Sequence, residues 1–357
     1  TSGCEEILNE KWYTCKNLIM NKNLFEKKPF IIAEVSGNHG GSLEKMLKIV
    51  EEISKTGANA IKLQTFKPNT ITLDSYSKEF LINDKKSKWH KLRLYDLYKK
   101  SQTPWEWHKK IFKKANKLGL YAFSAPFDFS AVDFLENLKV PMYKIASFEN
   151  NHLPLIKYVA LKKKPMIVST GMASFKEISE IVKTVTKNGC KNLTLLKCTS
   201  TYPASIEESN ILTIPEIKKK FKCNVGLSDH TPGIGASVAA IAQGATVIEK
   251  HFTINKNDGS IDSFFSLEPN EFKNLVVECN AAFKSLGKIF FGPTKGERKS
   301  LHFRRSIYIS EDVKKDEKLS NKNIKIVRPS KGLNPKFYSK IINKKFKKNI
   351  KKNTPLK

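Results

Sequence analysis

Between residues 29 and 252 the chain repeats one phrase: a short continuous apolar run, a polar turn, then a longer amphipathic stretch. The apolar runs end at Glu34, or span 60–63, 121–124, 142–145, 166–168, 193–196, 225–227 and 246–249. A run that is apolar at every position, rather than at every second one, suits a strand covered on both faces, as in a parallel sheet. The spacing predicts a helix over 43–55 that stops near Gly57, and another that opens at Thr103-Pro104-Trp105-Glu106. There threonine reads as the N-cap, proline as the first helical position and glutamate as the closing residue of a capping box, with a stop at Gly119. Residues 67–102 break the rhythm as a long polar and aromatic insertion. Eight strands alternating with helices predict an α/β fold, a (β/α)8 TIM barrel.

The pattern changes past Lys288. Short strands and turns from Arg304 onward, including Val327-Arg328-Pro329-Ser330-Lys331-Gly332-Leu333, predict a small β-rich module. The expected organisation is an N-terminal extension over 1–28, a catalytic barrel over 29–292, a charged linker over 293–303 and a module over 304–357. A module of about 55 residues has little core of its own, so it is expected to pack against the barrel or a neighbouring subunit.

Charge alters this picture less than its size suggests. The chain has 357 residues and a formal charge of +30, which invites a nucleic-acid reading. Only five of its 64 basic residues are arginine, however, and phosphate and base readers favour arginine for its bidentate fork. Spread lysines fit a solvated surface that draws in anionic substrates, so no nucleic-acid partner is expected. No apolar run approaches the roughly 20 residues needed to cross a bilayer, and the start does not read as a secretory signal. No membrane partner and a cytoplasmic location are expected. The six cysteines show no metal-ribbon spacing and read as reduced thiols, with Cys198 a candidate pocket lining.

Candidate chemistry collects at the C-terminal ends of the strands, where parallel α/β folds hold their ligands. Glu34, Lys62, Gln64, Ser124, Lys144, Ser147, Glu149, Ser169, Ser228, Asp229, His230, Lys250 and His251 all fall there, and a closed barrel is expected to gather them around one mouth. A single histidine is more often a satisfied core or surface residue than a ligand. His230 and His251, each ending one strand of the same strand–helix–strand unit, form a candidate metal pair. Lys62, Lys144 and Lys250 lie in or against apolar strands, where an unpaired ammonium is costly. They are expected to answer a phosphate and a carboxylate.

The phrases AEVSGNHGG, KLQTF, TPWEWH, YKIASFEN, STGM, KCTSTYP, GLSDHT, GATVIEKHF and RRSIYI, in this order, resemble the sialic acid synthase family. TPWEWH and KIASFENNHLPLI are similar to its pseudaminic acid branch. The resemblance covers residues 29–357 and includes the antifreeze-like (SAF) domain at 304–357, whose end falls short of where relatives stop. It implies a transferase that joins phosphoenolpyruvate to an N-acetylated amino sugar. It implies that His230 and His251 hold a divalent metal (manganese, magnesium or cobalt) and that Glu34 is a catalytic carboxylate. Lys62, Gln64, Lys144, Ser147, Ser169 and Ser228 then contact phosphoenolpyruvate, and Tyr202 and Asp262 lie on the sugar side. Arg328 would reach from the SAF domain into the partner's barrel in a homodimer and bind the acetamido group. The same reaction on another sugar, giving N-acetylneuraminic or legionaminic acid, is the nearest alternative. A Schiff-base aldolase using Lys144 and a non-catalytic sugar- or nucleic-acid-binding protein are the others.

Overall fold

The apolar runs form β1 (Phe30–Glu34), β2 (Ala60–Thr65), β3 (Tyr121–Pro126), β4 (Tyr143–Ile145), β5 (Met166–Ser169), β6 (Leu193–Cys198), β7 (Asn224–Asp229) and β8 (Val247–His251). They pair in parallel in chain order, and β8 returns to β1 to close a barrel. This computed structural model describes residues 28–85 and 89–357, so the expected extension over 1–28 lies outside the described residues apart from Lys28.

Alternation along each strand separates two apolar layers. Phe30, Ile32, Ala60, Phe123, Met142, Ile167, Leu196 and Val247 point inward and fill the lower barrel. Their neighbours, among them Ile31, Ile61, Leu63, Ala122, Tyr143, Val168, Leu195 and Ile248, belong to the larger layer that packs on the helices. Gly226 is needed inside: a Cβ there would lie 2.1 Å from the Val247 carbonyl oxygen. The barrel is thus a packed core closed below its C-terminal rim, and polar inward positions occur above that floor.

The helices return the chain to each next strand. Leu43–Thr56 is capped by Ser42, whose hydroxyl accepts from the Lys45 amide, and it ends at Gly57 with φ 85°. Trp105–Lys117 departs from expectation at its start. Pro104, with ψ 132°, stands before the first turn instead of within it, and no side chain caps the helix. Thr103 therefore lies one residue too far out, and its buried hydroxyl has no partner. The insertion includes a hairpin-like crossing in which Leu81 bridges Arg93, followed by the helix Leu94–Ser101.

Lys288–Lys357 forms a second compact unit. Within it β9 (Ser306–Ile309) and β10 (Ile324–Val327) pair antiparallel. Further bridges join Tyr308 to Pro355 and Val313 to Ile350. Its fully buried apolar core is small: Ile307, Ile309, Val313, Leu319, Ile324 and Phe346. Among the described residues no helix is long and apolar enough to cross a membrane.

Candidate active site

The inward residues at the upper ends of the strands converge. Glu34 is in register with Lys62 on one side and His251 on the other. Lys62 Nζ lies 2.5 Å from Glu34 Oε2 and 3.6 Å from Glu249 Oε2. Lys144 Nζ donates to Glu249 Oε1 at 3.0 Å, and the Ser228 hydroxyl donates to the same oxygen at 3.0 Å. Gln64 Nε2 donates to Glu34 Oε1 at 3.2 Å. Two lysines and two carboxylates thus share one water-poor volume, in which charges act over longer range than in water.

Burial acts on each member of this cluster, and the neighbours decide the outcome. Burial disfavours the charge on Glu249, but Lys144 and Lys62 overcome it and hold the carboxyl at about 2. Glu34 goes the other way: burial raises it, the Glu249 charge adds to the rise, and Lys62 opposes both only in part. Lys62 is raised because Glu249 and Glu34 outweigh its burial. Lys144 is lowered, burial outweighing Glu249. Glu249 is therefore the fixed negative charge of the pair, and Glu34 is the carboxyl better able to carry a proton.

His230 and His251 stand beside this cluster with ring centroids 5.3 Å apart. The Thr199 carbonyl lies 2.9 Å from His230 Nδ1, which makes Nδ1 the donor and Nε2 the nitrogen that can act as a ligand once it sheds its proton. Burial disfavours the charge on this ring, but Cys198 outweighs it and raises His230. His251 Nδ1 is buried and has no partner. Burial, with the nearby charges of His230, Lys62, Lys250 and Lys144, pushes His251 well below its ordinary range, so its imidazole is neutral. A neutral, buried imidazole with an orphaned nitrogen beside a second oriented imidazole fits a divalent cation. Among the described residues no group of three or more His, Cys, Asp or Glu could hold a metal ion. Further ligands would have to be water or substrate.

Two buried hydroxyls follow just past β4 and at the end of β5. The Ser147 and Ser169 hydroxyls are buried without partners. Gly171 allows this crowding, since a Cβ there would lie 2.6 Å from Ser147 Oγ and 2.1 Å from Ser200 Oγ. Asn150 fixes the loop by donating to the Ser169 and Gly171 carbonyls at 3.3 and 2.8 Å. Unpaired hydroxyls near Lys144 suit the oxygens of a small polyanion. Tyr202 lies 4.5 Å from His230, centroid to centroid, with the ring planes tilted by 47°. Asp262 is buried, is raised by that burial, and accepts from the Gly37 amide at 3.4 Å.

The structure therefore brings Glu34, Lys62, Gln64, Lys144, Ser147, Ser169, Ser228, His230 and His251 to one rim, with Tyr202 and Asp262 on loops beside it. Arg328 is exposed in the second unit, just past β10. Three residues expected at the mouth are not there. Lys250 ion-pairs with Asp229 at 2.8 Å, and Asp229 accepts from Ser237 of the helix Gly235–Ala242 at 2.6 Å. Ser124 bonds to Thr65, which in turn meets His108 of the helix Trp105–Lys117. All three occupy the outward positions of their strands, and Lys250 needs no bound anion because Asp229 is its counter-charge. Glu249 is the inward residue that the sequence reading passed over. Its signal was the two-residue spacing to His251, the same spacing that relates Ser228 to His230. Cys198 does line the site, its Sγ 3.8 Å from His230 Nδ1.

The chain is similar to known proteins over most of its length. The NeuB family matches residues 49–290, and the SAF domain matches residues 304–357. The pseudaminic acid synthase of Campylobacter jejuni serotype O:2 is 46% identical over 326 residues, spanning 91% of this chain and 94% of that protein. The pseudaminic acid synthase of Helicobacter pylori is 41% identical, spanning 92% and 96%. The N,N'-diacetyllegionaminic acid synthase of C. jejuni is 37% identical, spanning 91% and 98%. Among solved structures, the N-acetylneuraminic acid synthetase of Leptospira borgpetersenii superposes with a TM-score of 0.69 at 30% identity, over 78% of this chain and 92% of that one.

Proposed function

The chain belongs to the NeuB family, and from that premise we propose that it condenses phosphoenolpyruvate with 2,4-diacetamido-2,4,6-trideoxy-L-altrose to give pseudaminic acid and inorganic phosphate. The likeness to pseudaminic acid synthases at 41–46% identity over about nine-tenths of the chain supports this sugar over its relatives. The carrying observation is one rim that joins two buried lysines and two unpartnered serine hydroxyls to two buried imidazoles.

Lys62 and Lys144 hold the phosphate and carboxylate of phosphoenolpyruvate, with Ser147, Ser169 and Ser228 donating to the remaining oxygens and Gln64 alongside. A divalent cation (manganese, magnesium or cobalt) held by His230 and His251 would supply Lewis-acid polarisation of the sugar aldehyde. C3 of phosphoenolpyruvate forms the new bond to the aldehyde carbon, and that oxygen takes a proton to become a hydroxyl. Glu34, raised by burial, is the group suited to deliver it. Water then adds at C2 and gives up one proton, the C2–O bond to phosphate breaks with the second proton leaving on the phosphate, and C2 becomes the ketone. The cationic character at C2 before water adds is countered by Glu249, which stays ionised. Tyr202 and Asp262 orient the sugar. In the proposed homodimer, Arg328 of one chain binds the acetamido group at the other chain's barrel mouth. Mixing Arg328→Ala and His230→Ala chains should then restore part of the activity, and no rescue would mean that each site is built within one chain.

The test of the reaction is phosphate release from phosphoenolpyruvate, with manganese, against this sugar, its gluco-configured relative that leads to legionaminic acid, and N-acetylmannosamine. Release with the altrose sugar, lost on adding a chelator, is expected. Release only with another sugar would move the substrate, and silence with all three from folded protein would overturn the reading.

A further inference from the structure

Three loops from distant parts of the chain bring aromatic rings together next to the two histidines. Tyr202, after β6, lies 4.5 Å from His230 and 5.2 Å from Phe265, centroid to centroid. Phe265, after β8, lies 4.8 Å from His251, and Phe264 packs edge-on against it at 5.0 Å. Trp89, from the insertion between β2 and the helix Trp105–Lys117, meets Tyr202 at 6.4 Å and Phe264 at 6.3 Å. Phe265 is buried, whereas Trp89, Tyr202 and Phe264 are only half-buried and keep part of their surface open.

The insertion holds Trp89 by design of its own. Leu92 donates its amide to the Trp89 carbonyl at 3.0 Å, and across the hairpin the Lys91 amide donates to the Ile82 carbonyl at 2.8 Å and the Ile82 amide to the Leu92 carbonyl at 3.0 Å. Arg93 closes the base: it donates to Asp74 at 2.7 Å and to both oxygens of Asp96 at 2.7 and 2.8 Å, and its guanidinium lies 3.9 Å from the Tyr76 ring centre. Arg93 is the sole arginine before residue 298, and a rigid planar fork is what such a multiple clamp requires. So firm an anchor places the indole at the rim at low entropic cost.

Resting on the proposed function, we propose that Trp89, with Tyr202 and Phe264, forms an apolar wall that recognises the C6 methyl group of a 6-deoxy sugar. The aldehyde end belongs at the imidazole pair, so the other end of the open chain extends along the rings that continue outward from it. Half-open aromatic faces gain from covering a methyl group and its C–H bonds. A C6 hydroxyl set against the ring faces would lose water without gaining a matched partner there. Discrimination of this kind is bounded, because an apolar pocket rejects an added hydroxyl by about 100-fold at most.

The decisive comparison uses the diacetamido trideoxy sugar and its counterpart carrying a hydroxyl at C6, with kcat/KM for phosphate release measured for each. Wild type is expected to prefer the 6-deoxy sugar by roughly 10- to 100-fold. Trp89→Ala should bring that preference down to a few-fold, mostly through KM for the 6-deoxy sugar. Trp89→Phe should keep most of it, and Phe264→Leu should weaken it in the same direction. An unchanged KM for phosphoenolpyruvate in these variants reports an intact barrel. Equal loss with both sugars, or an unchanged preference in Trp89→Ala, would overturn the wall. Wild type inactive on both sugars would instead overturn the functional reading beneath it.

Discussion

Glu249→Gln separates what holds the lysines in place from what uses them. The carboxyl is held at about 2 against 4.5 when free, burial opposing the charge and Lys144 and Lys62 prevailing. At 1.36 kcal/mol per unit this favours the charged form by about 3 kcal/mol. An independent expectation agrees, since removing one partner of a buried ion pair costs about 3–5 kcal/mol. The folded value is depressed, so this stability is fully present above about 4.5 and is lost as pH falls towards 2. The variant should therefore be less stable than wild type by about 3 kcal/mol at pH 7, or roughly 6–12 °C in melting temperature, with the gap narrowing below pH 4.5. Saturating phosphoenolpyruvate should narrow the gap as well, because its negative groups replace the missing counter-charge, and it should bind the variant at least as tightly as wild type. Thermal and chemical denaturation with and without phosphoenolpyruvate, at pH 7 and pH 4, reads all of this. Equal stability at pH 7, or loss of phosphoenolpyruvate binding in a folded variant, would refute the reasoning.

Lys250→Met should destabilise the barrel by about 3–5 kcal/mol by stranding Asp229, while surviving enzyme keeps its KM values; denaturation curves and steady-state rates check it, and adding Asp229→Asn should recover stability. Lys45, in the first turn of the helix Leu43–Thr56, ties the loop before Asp262 to that helix through Asp258 at 2.7 Å and Ser260 at 2.6 Å. Lys45→Met should loosen Asp262 and raise KM for the sugar about fivefold, equivalent to about 1 kcal/mol, with KM for phosphoenolpyruvate unchanged and Lys45→Arg close to wild type. Glu149 is pushed up to about 7 by burial, Lys144 and Lys62 opposing. The folded state thus holds a proton that the unfolded state has released, and stability falls as pH rises from about 4.5 through 7, by at most about 3 kcal/mol. Glu149→Gln should remove that slope in denaturation measured across pH.

What was legible in the sequence, and what was not, follows from how a barrel strand is buried. Runs such as FIIAE and TLLKC announce strands because both of their faces are covered. For the same reason they carry no alternation, so they do not reveal which parity faces the axis. That is why Lys250 and Asp229 could be grouped with His251 and His230 although they point to the helices, and why Glu249 was passed over. The polar residues alone carried the answer, in the two-residue spacings of Lys62 to Gln64, Ser228 to His230 and Glu249 to His251. The aromatic wall had no such trace, since Trp89, Tyr202 and Phe264 meet only after three loops are folded. Parity also explains how lysines can stand inside an apolar strand at all. Each inward lysine has a carboxylate within the barrel, at 2.5 Å for Lys62 and 3.0 Å for Lys144. An anionic substrate then competes with Glu249 for charges that are already paired. The residue that makes the lysines tolerable during folding is for that reason also the one that limits how tightly the substrate is held.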